Sequence, residues 1–240
     1  MTMTNLGLRF SPRPILFERV ALFAGRFEPF CNHHLHITKM LCQNSDTDRV
    51  IVWPVGSYDS KDIIAKNEHR ESVCRLALEE LAPEYRTKVT LRTDDLDLGM
   101  FHGNAYMQEM LEAQPSPEGR EVLYHKRVMP LLVREVWHVI GTDNVFKVKD
   151  WKDGMNLWQK AKFIVLTRKG YETDELPPNS QVLDGPDMIS ATKVRELMQT
   201  GGTWEQHVPG KAAQYIKEHT VYPLAERANN DEFCTVPYAA

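Results

Sequence analysis

The chain has 240 residues, of which 42% are hydrophobic, and a formal net charge of −4. This length suits one large α/β domain or two small ones; the apolar content excludes a disordered chain, and the charge excludes a broad nucleic-acid surface while leaving room for a local basic pocket. Cys31, Cys42, Cys74 and Cys234 lack C-x-x-C spacing, no apolar run approaches the ~20 residues of a membrane span, and residues 1–14 have no long apolar core of a secretory signal, so the expectation is a reduced, cytoplasmic protein without a membrane anchor.

Residues 1–18 hold Pro12 and Pro14 and little periodicity, and read as an arm before the first strand. The first strand is expected over 19–24, an apolar run that stops at Gly25. A polar helix follows over about 33–43, then a turn at 44–48 and a second strand over 49–53, ended by Pro54. A loop at 54–66 carries Gly56, Tyr58 and Lys61. The spacing of Val73, Leu76, Ala77, Leu78 and Leu81 predicts a helix over 67–81, closed with the help of Pro83. A third strand is expected over 88–92, then an acidic loop (Asp94, Asp95, Asp97). Two helical stretches are expected between 102 and 132, split by Q-P-S-P-E-G. The fourth strand, 135–140, runs into G-T-D-N at 141–144. Helical turns follow at 143–149 and 153–160, then a fifth strand over 163–167 and a polar loop over 171–179. A short strand at 181–184 leads to I-S-A-T-K-V-R at 189–195, which opens a helix stopped near 199 by Gly201 and Gly202. A last helix spans about 210–219, and 225–240 reads as a tail.

Strands alternating with helices predict an α/β fold: a Rossmann-like parallel sheet with helices on both faces, as a single domain over 19–224. In such sheets ligands bind beyond the carboxyl ends of the strands, where the strand order reverses. Segments 25–34, 54–61, 141–143 and 167–169 all follow predicted strands, so they are expected to share one mouth.

The stretch V-A-L-F-A-G-R-F-E-P-F-C-N-H-H reads as strand, tight loop and helix N-terminus, a geometry whose free N–H groups and helix dipole suit a phosphate. It resembles the signature of the nucleotidyltransferase superfamily: Gly-x-Phe-(Asp/Asn)-Pro, a spacer, then His-x-x-His or Thr-x-x-His. The last His falls on His34, and Cys31 stands at the first His position. Arg26 replaces a small residue, as in archaeal-type nicotinamide-nucleotide adenylyltransferases, and Glu28 stands for Asp or Asn. Outside such a loop, a residue like His34 caps a helix or sits half-buried. Asn32, His33 and His36 have no role in the pattern and read as polar residues near a helix start.

The segment I-S-A-T-K-V-R matches the Ile-Ser-x-Thr-x-x-Arg motif of nicotinate and nicotinamide mononucleotide adenylyltransferases. Physically it is a second helix start, where Ser190 and Thr192 offer hydroxyls and Arg195 lies one turn from Thr192. That set suits a triphosphate clamp, or simply a capped helix with a surface Arg. Further similarity runs through 54–70, where the family's Lys falls on Lys61 and its His-Arg on His69 and Arg70, with Arg70 as a brace of the fold. It continues through Gly141 and Asp143, where the family holds adenosine and where Asp143 also suits a helix cap. D-W-K-D at 150–153 places Trp151 where the family stacks an aromatic on the pyridine ring. The resemblance fails over 94–132, where Phe101 and Tyr106 are the aromatics on offer.

The resemblance implies adenylyl transfer from ATP to nicotinamide or nicotinic acid mononucleotide, with release of pyrophosphate. It implies His34, Lys61 and Arg195 as catalytic groups, and Gly25, Arg26, Phe27, Gly141, Asp143, Trp151, Ser190 and Thr192 as nucleotide-binding groups. Mg²⁺ is expected to arrive on ATP, because no carboxylate cage is evident. Another acceptor within the superfamily, or a nucleotide-binding, chaperone-like protein with little catalysis, is the alternative; an aminoacyl-tRNA synthetase is disfavoured because K-M-S-K-S is missing. The partners expected are small nucleotides, with neither a nucleic-acid polymer nor a membrane.

Overall fold

Six parallel strands form one sheet in the order β3-β2-β1-β4-β5-β6. The computed structural model describes residues 15–56, 64–97, 131–151 and 153–224. Lys61, Phe101, Tyr106 and the helical stretches expected between 102 and 132 lie outside the described residues.

The strands are β1 (Ile15–Gly25), β2 (Arg49–Pro54), β3 (Val89–Leu91), β4 (Leu131–Gly141), β5 (Lys162–Leu166) and β6 (Ser180–Leu183). The helices are α1 (Asn32–Gln43), α2 (Asn67–Leu78), α3 (Pro83–Arg86), α4 (Asp94–Asp97), α5 (Thr142–Val145), α6 (Gly154–Lys160), α7 (Ala191–Thr200) and α8 (Gly210–Glu218). The chain steps outward from β1 to β2 and β3, returns to lay β4 against the other side of β1, and then steps outward again. The order therefore reverses between β1 and β4, whose carboxyl ends, Gly25 and Gly141, border a natural crevice.

The apolar run of β1 is continuous because both faces of the sheet are covered. Ala21 and Phe23 face a core shared with Ile37 and Leu41 of α1, Val73 and Ala77 of α2, Val194 and Met198 of α7, and Ala212 and Ile216 of α8. Val20 and Leu22 face the opposite core, with Trp53, Ile140 and Phe163 of the sheet and Val145, Val148, Leu157 and Trp158 beyond it. On each helix the buried positions recur at helical spacing, as amphipathic packing requires.

The expected elements are present among the described residues, with local differences. β1 and β4 start four residues earlier than expected, since they pair in register from Ile15 and Leu131 onward. α2 stops at Leu78, before Pro83, and Pro83 instead opens α3 at its first turn, where a missing N–H costs nothing. The acidic segment read as a loop forms the turn α4. α7 ends as the Gly pair suggests: Gly201 adopts φ 72° and the Gly202 N–H donates to the Leu197 carbonyl. Among the described residues no helix is long and apolar enough to cross a membrane.

Candidate active site

A cavity of about 620 Å³ opens at the carboxyl ends of β1, β4 and β5. Its volume suits a small-molecule ligand. Gly25, Arg26, Phe27, His33 and His34 line one side, and His138, Gly141, Asp143, Lys147 and Trp151 another. Thr167, Arg168, Gly185, Pro186 and Met188 close the third.

The loop after β1 is built around Phe27. This residue is 2% exposed and sits at φ 47°, a left-handed conformation that costs a non-glycine residue roughly 1–2 kcal/mol. Its ring packs against Phe23, Phe30 and His34, with centroids 5.2, 5.1 and 4.9 Å away. A Cβ on Gly25 would lie 3.1 Å from the same ring, so glycine lets the ring close over the strand end. Glu28 is 1% exposed and is consumed by the scaffold. One carboxylate oxygen accepts from the Ile64 and Ala65 N–H groups at 2.9 and 3.0 Å, the other from Arg26 at 2.6 Å. Arg26 thus lines the cavity with its guanidinium paired to Glu28. The fully buried Arg70 donates to the carbonyls of Arg26 and Val55 at 2.7 and 2.6 Å, which makes it the expected brace.

His34 accepts a hydrogen bond from the Cys31 N–H at Nδ1, 2.9 Å away. The accepting nitrogen carries no proton, so the neutral ring holds its proton on Nε2. Burial, aided by His33 and Arg168, holds His34 well below its ordinary pKa of 6.5. It is therefore a neutral N–H donor, not a fixed cation. His33, also pushed down by burial to about 4 with Arg168 adding to the effect and the Ile189 backbone opposing it, stands beside it.

The second side is set by β4. Gly141 caps α5, and a Cβ there would lie 2.4 Å from the Asp143 Oδ1, so glycine leaves room for that carboxylate to fold back. The Asp143 Oδ2 pairs with Arg168 at 2.8 Å, and the Arg168 N–H donates to the Thr142 hydroxyl at 3.0 Å. These contacts tie the ends of β4 and β5 together. Trp151 is half-buried and meets His138 edge to face at 5.7 Å. His138 is 3% exposed, and burial lowers it to about 3.

The I-S-A-T-K-V-R segment touches the first motif from outside the cavity wall. Ser190 caps α7 and accepts from the Lys193 N–H at 3.3 Å. The exposed Thr192 accepts from Arg195 at 3.3 Å, and Arg195 also donates to the Glu28 carbonyl at 2.5 Å, across 167 residues of sequence. Among the described residues the two motifs are thus joined by Arg195, while Ser190, Thr192 and Arg195 lie beside the cavity.

A model of the cytidylyltransferase-like family matches residues 22–197, a span that includes both motifs. The chain belongs to the cytidylyltransferase-like family. A relative from Clavibacter michiganensis, named a probable nicotinate-nucleotide adenylyltransferase, is 27% identical over 208 residues, covering 85% of this chain and 94% of the relative. A Desulfotalea psychrophila protein of the same name is 25% identical over 229 residues, covering 85% of this chain and 100% of the relative. Among solved structures, the Plasmodium falciparum nicotinic acid mononucleotide adenylyltransferase complexed with NaAD superposes with a TM-score of 0.65 at 14% identity, over 87% of this chain and 98% of that chain. That likeness is one of fold, Rossmann-like and extending over most of the chain.

Family motifs alone do not single out His33, His138, Lys147 or Arg168, all of which line the cavity. Arg168 had a usable signal, since it directly follows a strand on the side where sheets of this kind bind ligands. His138 lies inside an apolar strand, where a histidine is read as core, and only the assembled sheet shows that its end is the cavity floor.

Proposed function

We propose that this chain is an adenylyltransferase that joins the AMP moiety of ATP to a pyridine mononucleotide, giving NAD or its deamido form and pyrophosphate. The observation that carries this is the shared wall: the phosphate loop with His34, the Asp143–Arg168 pair and Trp151 all face one cavity at the point where strand order reverses. The nicotinate names of the relatives favour the acid form of the mononucleotide. With no membrane-spanning helix among the described residues, the cytoplasm is the proposed setting.

In this reading an oxygen of the mononucleotide phosphate attacks the α-phosphorus of ATP. The new P–O bond forms as the bond to the bridging oxygen breaks, and pyrophosphate leaves with that oxygen. Neither a covalent enzyme intermediate nor a general base is needed, so the protein contributes alignment and charge stabilisation. His34 donates Nε2–H to a phosphate oxygen, and Gly25 and Phe27 bring the loop backbone close. Arg26 shapes the loop through Glu28, and Arg195 holds the Glu28 carbonyl while lying near the triphosphate with Ser190 and Thr192. Lys61 follows the moving phosphate. Gly141 and Asp143 hold the adenosine half, and Trp151 stacks on the pyridine ring. Asp143 is the single carboxylate in the cavity wall among the described residues, and it is already paired. In this reading Mg²⁺ enters as part of the MgATP substrate.

The test is incubation of the purified protein with MgATP and each mononucleotide, with chromatographic detection of dinucleotide and pyrophosphate. Equal amounts of both products are expected. Absence of dinucleotide with either acceptor overturns the proposal.

A further inference from the structure

The phosphate-loop pattern provides two side chains, one at the position of Cys31 and one at His34. Cys31 does not serve as the first. It is 1% exposed, its thiol donates to the Pro29 carbonyl at 3.3 Å, and it forms no part of the cavity wall. Burial pushes that thiol up to about 12, so it keeps its proton. His33, two residues on, does line the cavity. Its ring centroid is 3.7 Å from that of His34; the ring bonds to the Ile189 backbone, while its Nδ1 is buried without a hydrogen-bond partner. A buried ring nitrogen without a partner in a cavity wall is a group that a bound ligand can satisfy.

One donor atom each from Cys31, His33 and His34 lies within 4.8 Å of the others, a set that on composition alone suits a transition metal. The proton positions oppose that. The Cys31 N–H occupies the lone pair on the His34 Nδ1, so Nε2 carries the proton and has no lone pair to give a metal. The remaining arrangement is two adjacent imidazoles with the Arg168 guanidinium near both. Such a set suits an anion.

We infer that His33 is the second phosphate-contacting imidazole of this site, taking over from the position that Cys31 occupies, and that it holds the triphosphate of ATP together with His34 and Arg168. A phosphate oxygen only accepts hydrogen bonds, so the ring meets it with its single proton shifted onto the contacting nitrogen, the other nitrogen giving up its hydrogen bond to the Ile189 backbone. The turnover part of this inference rests on the adenylyl-transfer reading; the binding part does not.

The experiment measures binding of α,β-methylene-ATP by calorimetry, together with steady-state kinetics and thermal melting, on the full chain. His33→Phe keeps a ring packed against His34 while deleting both nitrogens, and His33→Ala deletes the ring. Both are expected to weaken analogue binding at least tenfold and to lower kcat/KM for ATP by at least as much. The KM for the mononucleotide is expected to stay within about twofold and the melting temperature close to wild type. Cys31→Ala is expected to leave analogue binding within about threefold. Adding Cys31→His to His33→Phe restores part of the lost affinity if the two positions serve one role. The inference is overturned if folded His33→Phe binds the analogue and turns over within twofold of wild type. Stoichiometric Zn²⁺ binding that disappears in Cys31→Ala also overturns it, because the cluster is then a metal site. Loss of analogue binding in His33→Phe, with no dinucleotide formed even by the wild type, upholds His33 as a phosphate ligand and sinks only the transferase reading.

Discussion

Gly141→Ala is expected to impair function while leaving stability nearly unchanged. The added methyl carbon would stand 2.4 Å from the Asp143 Oδ1, roughly 1 Å inside van der Waals contact, so the carboxylate must swing away. Swinging it away breaks the 2.8 Å pair with Arg168. Arg168 is 43% exposed and Asp143 19%, so solvent screens that pair and its loss costs at most about 1 kcal/mol. Against this, Gly141 has φ −82° and ψ 153°, which alanine adopts freely, and replacing glycine there stabilises by roughly 0.4–1 kcal/mol through the unfolded state. The two effects offset, and the melting temperature should move by no more than about 3 °C. If Asp143 holds the adenosine half, losing one charge-assisted hydrogen bond costs about 1.5–3 kcal/mol, or roughly ten- to hundredfold in kcat/KM for ATP. Scanning fluorimetry and ATP-dependent initial rates measure both sides. A variant with wild-type melting and a kcat/KM within twofold would show that the placement of Asp143 and Arg168 is irrelevant to the reaction.

His34→Ala should lower turnover about a hundredfold or more, while losing the acceptor of the Cys31 N–H costs only about 1 kcal/mol of stability. Near-wild-type turnover in that variant, assayed by dinucleotide formation, removes His34 from the mechanism. Cys31→Ala should leave turnover within about threefold, and Cys31 in the folded protein should resist alkylation at pH 8, since its thiol is buried and pushed up to about 12. Loss of activity with unchanged melting would show that the Cys31 thiol takes part in the reaction. Acid should destabilise the fold through its buried histidines. His33 and His138 are lowered to about 4 and about 3, and His34 also lies well below 6.5, burial being the first cause in each. Between those values and 6.5 the unfolded chain binds more protons than the folded one. Their contribution is therefore complete above pH 6.5 and is lost as pH falls toward 3. The melting temperature should fall steadily below pH 6.5, with a shallower slope in His138→Gln, and equal slopes in the two proteins would contradict this account of His138.

The sheet was legible because burial on both faces leaves a mark in sequence. The runs at 20–24 and 50–53 are apolar without alternation, and each is stopped by Gly25 or Pro54. The mouth was legible for a related reason, since ligand-binding loops follow parallel strands wherever the strand order reverses. Side-chain allegiance was not legible. Arg26 offers a cation to any neighbour, and only the burial of Glu28 two residues away decides that the two pair. Arg195 looked like a clamp for phosphates, and the fold brings the Glu28 carbonyl to it from 167 residues upstream. Pro83 looked like a helix stop and opens a helix, because proline serves the first turn as readily as it ends the last. Asp143 suited both a helix cap and a ligand contact, and its pairing with Arg168, 25 residues downstream, leaves no local trace. His33 reads as a solvated polar residue until its ring is seen against His34.

The most direct test follows the label in ATP. With ATP labelled at the α-phosphorus and nicotinic acid mononucleotide as acceptor, the label should appear in the dinucleotide, and with ATP labelled at the β-phosphorus it should leave in pyrophosphate. Retention of the α-label in ATP or AMP, with neither nicotinic acid mononucleotide nor nicotinamide mononucleotide converted to labelled dinucleotide, would contradict adenylyl transfer by this chain.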